Sequence, residues 1–181
     1  MKYIVLYFTM LLFVACSEDS SLIPNIYTGK VTALKNGQTW ETPAYFDKLT
    51  TETGKYMLRA DFYDKNSLKQ ASFSIRNIAV TLEKQNIRAL NNDNNGLTYA
   101  DFMILIDGDA IDTIYELDTS AIDNYIKITN YDSRLNEIKG EFKVSFKITD
   151  RDANNTSGKN SEKIEFSNGN FNVKVNPEWF E

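Results

Sequence analysis

Glu141-Phe142-Lys143-Val144-Ser145-Phe146-Lys147-Ile148-Thr149 is the stretch that decides the fold. Apolar side chains hold the even positions, and charged or hydroxyl side chains hold the odd ones. Successive side chains of an extended chain point to opposite faces, so this stretch has one dry face and one wet face. Tyr56, Leu58, Ala60 and Phe62 repeat the pattern, as do Ala71, Phe73 and Ile75, and later Phe171, Val173 and Val175. Two-faced strands belong to antiparallel sheets, whereas the strands of βαβ units read as continuous apolar runs.

Turn chemistry agrees. Asn36-Gly37, Thr53-Gly54, Asn95-Gly96, Asp107-Gly108, Ser157-Gly158 and Asn168-Gly169 punctuate the chain. Asn-Gly and Asp-Gly accept positive φ at both central residues, which matches the twist of a hairpin. Asn36-Gly37 is expected to join a strand near 30–35 to one near 38–46, and Asp107-Gly108 to join 99–106 to 110–117. Ile164 and Phe166 sit on even positions but Phe171, Val173 and Val175 on odd ones, so a β-bulge or tight turn is expected at Asn168-Gly169. A similar switch follows Asn77, where Ala71, Phe73 and Ile75 give way to Ile78, Val80 and Leu82. Residues 82–90 and 119–125 have room for a short helical turn each, and 91–96 and 150–161 read as long loops. The fold class is all-β with little helix: an antiparallel β-sandwich or partly closed β-barrel of about 8–10 strands.

The first residues carry a different message. Met1-Lys2 supplies one positive charge, 4–14 is apolar except for Thr9, and Phe13-Val14-Ala15-Cys16 ends the run on the single cysteine of the chain. The run is shorter than the about 20 residues that span a bilayer and fits the core of a signal peptide. It resembles a bacterial lipoprotein signal with its lipobox. That resemblance implies removal of 1–15, a diacylglyceryl thioether on Cys16 and anchorage in a membrane. The alternative is an ordinary secretory signal followed by a free thiol, a liability in an oxidising compartment. Ser17-Glu18-Asp19 resembles the acidic tract that sends Bacteroidota lipoproteins to the cell surface. Its alternative is a solvated tether on a lipoprotein facing the periplasm. Residues 16–28, rich in Ser and acidic residues and broken by Pro24, read as a lipidated flexible tether. Residues 29–181 read as one β-domain.

Three further pieces resemble a family of Bacteroidota lipoproteins: Asn36-Gly37-Gln38-Thr39-Trp40, Ile138-Lys139-Gly140-Glu141-Phe142, and Phe166-Ser167-Asn168-Gly169-Asn170-Phe171-Asn172-Val173. The resemblance covers most of 29–181. It implies a lipid-anchored, single all-β domain and brings no catalytic residue with it.

Composition narrows the chemistry. The chain has no histidine, which removes Ser-His-Asp and Cys-His nucleophiles, histidine-held zinc and the commonest general base. No P-loop or GxGxxG is present. With 25 acidic residues against 20 basic ones, it has no basic tract for nucleic acid. A glycosidase needs only two carboxylates, but no spacing singles out a pair, and the chain is read as a non-enzyme.

Several residues remain as candidate sites. Calcium is the metal worth weighing, because it takes oxygen ligands alone. The candidates are Asp107, Asp109 and Asp112 around one hairpin tip, Asp150 and Asp152 in a late loop, and the run from Asn91 to Gly96. Each also reads as a polar turn whose side chains bond their own backbone. No other cofactor is implied. Trp40 and Tyr63 are candidate ligand contacts. Trp40 shares the even face of its strand with Phe46, which points to the core, while Tyr63 shares the polar face of Arg59 and Asp61. Asp112-Thr113-Ile114 resembles a Bacteroidota O-glycosylation motif on Thr113; the alternative is an outward strand residue. The functional expectation is a membrane-anchored lipoprotein with a glycan or protein ligand. A lipocalin-like carrier of an apolar molecule and a carboxylate hydrolase are the alternatives.

Overall fold

The computed structural model describes residues 29–49, 54–90, 96–121, 123–151 and 160–175. They form ten strands: β1 (Gly29–Lys35), β2 (Gln38–Lys48), β3 (Lys55–Tyr63), β4 (Lys69–Ala79), β5 (Lys84–Asn86), β6 (Tyr99–Ile106), β7 (Ala110–Leu117), β8 (Tyr125–Asp132), β9 (Glu137–Arg151) and β10 (Lys163–Lys174). There is no helix among the described residues. Every strand pairing is antiparallel. The order β10-β1-β2-β3-β4-β6-β7-β9 returns on itself through β9 and β10, closing an eight-strand barrel to which β8 and β5 are added. The sandwich-or-barrel alternative is thereby resolved: two separate sheets would leave a break in this ring of pairings.

The expected hairpins are present. Asn36 and Gly37 have φ of 50° and 79°, and Asp107 and Gly108 have 52° and 91°. Positive φ at both central residues defines the turn whose twist suits a hairpin. The parity switches are bulges. Register slips between Phe166 and Gly169 on β10, beside Asn168 at φ 50°, and opposite Tyr56 and Leu58, beside Asn77 at φ 59°.

The short helical turns expected at 82–90 and 119–125 are absent. Lys84–Asn86 extends instead to pair with β8. Within 118–124, the Asp118 carboxylate accepts the backbone N–H of Ser120 at 3.0 Å, a local bond that competes with helix. This loop explains an oddity of β9. One edge of β9 pairs with β10 along most of its length, while the other serves β7 at 146–151 and β8 at 137–143. β7 and β8 thus behave as one strand with an insertion. At the gap, the Asp118 N–H donates to the Ser145 carbonyl and the Ser145 N–H donates to Asn124 Oδ1, both at 2.8 Å. A side-chain amide substitutes for a missing peptide group. The same device recurs where Gln85 meets the end of β4. Its carboxamide accepts from Ala79 N–H and donates to Ala79 O, both at 2.8 Å.

The inner face is aromatic. Phe166 lies 4.8 Å from Trp40, 5.1 Å from Phe73, 5.4 Å from Phe102 and 6.1 Å from Phe146, centroid to centroid. An eight-strand barrel is just wide enough for side chains to fill. Each fully buried phenylalanine stabilises by about 1.5–3 kcal/mol relative to exposure, and each ring pair adds about 0.5–1.5 kcal/mol. Two glycines make room. Gly140 faces Phe171 across β9 and β10, and Phe142 faces Gly169 two residues along. A Cβ on Gly140 would collide with the Phe171 ring and the Lys127 carbonyl, and one on Gly169 with the Phe142 ring. Each ring therefore lies over the glycine opposite it, a Gly-x-Phe triplet on one strand interlocked with a Gly-x-Phe triplet on the next.

Candidate functional site

Two polar regions stand outside the core. The first is the outer wall of β2, β3, β4 and β6. Because Ala60, Phe73 and Ile75 point inward, Asp61, Ser72 and Ser74 point outward. Cross-strand pairing aligns Tyr45, Arg59, Ser74 and Asp101 in one row, with Asp61 and Ser72 beside it and Arg76 opposite Tyr99. The Ser72 hydroxyl donates to Asp61 at 2.6 Å, Arg59 Nε lies 3.2 Å from the same carboxylate, and Thr42 donates to the Asp61 carbonyl. Ser74 donates to Asp101 at 2.7 Å, with Arg76 Nε 3.4 Å from that carboxylate. Burial holds the Tyr45 phenol neutral. It pushes the phenol up to about 12, opposed by Arg59 and reinforced by Asp61 and Asp47. No buried side-chain polar atom among the described residues lacks a partner.

The second region is a pocket of about 330 Å³ where β7 and β8 part. Residues 86–89 line one side, and Leu117, Thr119, Ala121 and Asn124 the other. Ile87 and Leu117 are buried and give it an apolar floor. The acids of the loop are occupied. Asp118 accepts Ser120 Oγ at 2.6 Å and Lys163 Nζ at 2.9 Å, and these bonds, Ser120 first, hold its carboxyl down at about 2. Asp123 is held by Lys84, whose ammonium also lies 4.1 Å from the Tyr125 ring centroid. Arg88 is fixed by its backbone, N–H to the Thr98 carbonyl at 2.8 Å, while its side chain is exposed and takes part in no ion pair among the described residues. The exposed Asn86 and Thr119 side chains likewise enter no hydrogen bond among the described residues.

The sequence candidates fall elsewhere. Trp40 is inside the barrel, edge-on to Phe166 and Phe73, so it packs the core as its parity indicates and does not offer a ligand platform. Tyr63 is partly exposed and pairs with Lys69 at the start of β4, whereas the pocket lies beyond its far end. Asp107 and Asp109 stay on the hairpin tip, but Asp112 is buried, accepting bonds from Asn160 and Thr113. The three do not converge, and no group of three or more acids suited to a metal occurs among the described residues. The bulge between Ile104 and Leu105, opposite Thr113 and Ile111, is the physical reason, since it makes Asp112 the extra residue. Thr113, on the inward parity of Tyr115 and Leu117, is 1% exposed, with its hydroxyl accepting from Asn160 at 2.7 Å. A transferase has no access to that oxygen in the folded chain, so Thr113 is neither an outward residue nor an open glycosylation site. Asp150 pairs through its backbone with Ile114. Its side chain, Asp152, residues 91–95, Cys16 and the Ser17-Glu18-Asp19 tract lie outside the described residues.

Sequence reasoning missed the pocket entirely. The nearest signal was the loss of alternation at 118–124 between two alternating strands. Comparison with protein-family models, curated proteins and solved structures gave no match.

Proposed function

We propose that this chain is a non-enzymatic binding domain anchored by lipid on Cys16 to the outer membrane, facing the cell surface, and that its ligand meets the pocket between 86–89 and 117–124. The observation that carries the binding reading is the contrast in occupancy. Aromatic rings fill the barrel interior around Phe166, while the pocket keeps an arginine with no ion pair among the described residues, a carboxamide and a hydroxyl. The lack of histidine supports a binding role over catalysis. A closed eight-strand barrel is also compatible with a carrier that holds an apolar molecule inside, a reading that requires the rings to move apart.

The anchor is tested by Cys16→Ala. The variant is expected to move from the membrane fraction to the soluble fraction with its melting temperature unchanged, and the wild type to be cut by protease added to intact cells. Retention of Cys16→Ala in the membrane would overturn the anchor.

A further inference from the structure

We propose that this pocket takes one carboxylated sugar residue, a hexuronate held by Arg88. The assignment rests on the binding reading above and deepens it. A volume of about 330 Å³ sits at the low end of ligand pockets, about 300–1,000 Å³, which suits one sugar ring. The lining has the two faces such a ring requires. Ala121, with the slight exposed edges of Ile87 and Leu117, supplies a small apolar spot for its C–H face, and Asn86 and Thr119 supply an amide and a hydroxyl for its hydroxyls.

The carboxylate preference follows from the charges around it. Asp118 and Asp123 are the acids of the loop, and each is already held by a lysine, Lys163 and Lys84 respectively. Neither forms an ion pair with Arg88, so among the described residues the guanidinium remains a planar fork of donors with no carboxylate in it. That fork matches a carboxylate bidentately. The arginine is also positioned before any ligand arrives, because its backbone is bonded to Thr98 and bridges to Tyr99. Little ordering of the main chain remains for binding. The net charge of the chain, −5, adds no long-range attraction for anions, so recognition is local.

The test uses the full chain in detergent, titrated with methyl glucuronide, methyl galacturonide, methyl glucoside and inorganic phosphate while backbone amide resonances are followed. The uronides are expected to bind saturably and to move resonances at 86–89 and 119–124. Methyl glucoside is expected to bind at least about tenfold more weakly, the value of a charge-assisted contact. Arg88→Ala is expected to erase that difference at an unchanged melting temperature, and Thr119→Ala to weaken uronide and glucoside alike. Equal affinity for uronide and glucoside, tighter binding of phosphate than of uronide, or an Arg88→Ala variant that binds like wild type would each overturn the assignment. A different ligand moving the same resonances would leave the binding domain standing without the hexuronate. Cleavage of a uronide polymer would remove the non-enzymatic reading even with the pocket occupied.

Discussion

The wall around Asp61 and the pocket around Arg88 are built from the same kinds of side chain and differ in what those side chains touch. On the wall, carboxylate, serine and arginine meet along one strand and across adjacent ones, and each fills bonding capacity of the next. At the pocket the chain has left its strand pairing, lysines hold the acids, and Arg88 enters no ion pair among the described residues. Regular sheet places polar neighbours about 5 Å apart, close enough to satisfy each other. A polar group becomes available to a ligand where that regularity is interrupted.

The difference is open to measurement. Asp61→Ala should have the largest effect, because it strands the Ser72 hydroxyl and removes the Arg59 partner. We expect a loss of about 1–3 kcal/mol in urea unfolding at neutral pH. A loss inside the noise would mean the wall is as slack as the pocket.

The two regions should also fail at opposite ends of the pH scale. Folded Tyr45 ionises at about 12, above the ordinary 10, so the unfolded chain gives up its proton first. The stability this confers is complete below pH 10 and is lost as pH rises from 10 to 12. Asp118 has the reverse sign. Its folded carboxyl, at about 2, lies below the ordinary 3.8, so its contribution is present above pH 3.8 and is lost as pH falls toward 2. Melting temperatures across both limbs should flatten at the alkaline end in Tyr45→Phe and at the acid end in Asp118→Asn. Identical curves for variant and wild type would refute the assignment of that limb.

Arg88→Ala should have the smallest effect on stability, within about 0.5 kcal/mol. A larger loss would show that Arg88 serves the fold after all.

The elements legible in the sequence were those whose geometry is local. Alternation at Phe142, Val144, Phe146 and Ile148 depends on two-residue periodicity alone, and the Asn36-Gly37 and Asp107-Gly108 turns depend on φ at two residues. Asn77 and Asn168 announced their bulges because apolar parity changes on either side of them. Closure was not legible, since it needs β9 to pair with β10 on one edge while sharing its other edge between β7 and β8. The bulge at Asp112 is marked in the same way, by the parity change from Ile111 to Ile114, and Thr113 shares the inward parity of Tyr115 and Leu117, so its burial was legible as well. The pocket was not legible. It depends on Asn124 bonding to Ser145 in place of a peptide group, which no pattern of polarity encodes. At Asp107 and Asp109 composition alone does not separate a calcium loop from a self-bonded turn.

The interlocked triplets Gly140-Glu141-Phe142 and Gly169-Asn170-Phe171 carry a consequence for how such a chain diverges. Neither glycine can accept a side chain while the opposite ring stays, so the two positions of each pair must change together or not at all. Outward residues such as Glu141 and Asn170 are released from that restriction. A distant cousin could therefore lose nearly all visible likeness and still carry the double triplet, separated by a similar length of chain, as an inherited watermark of this barrel.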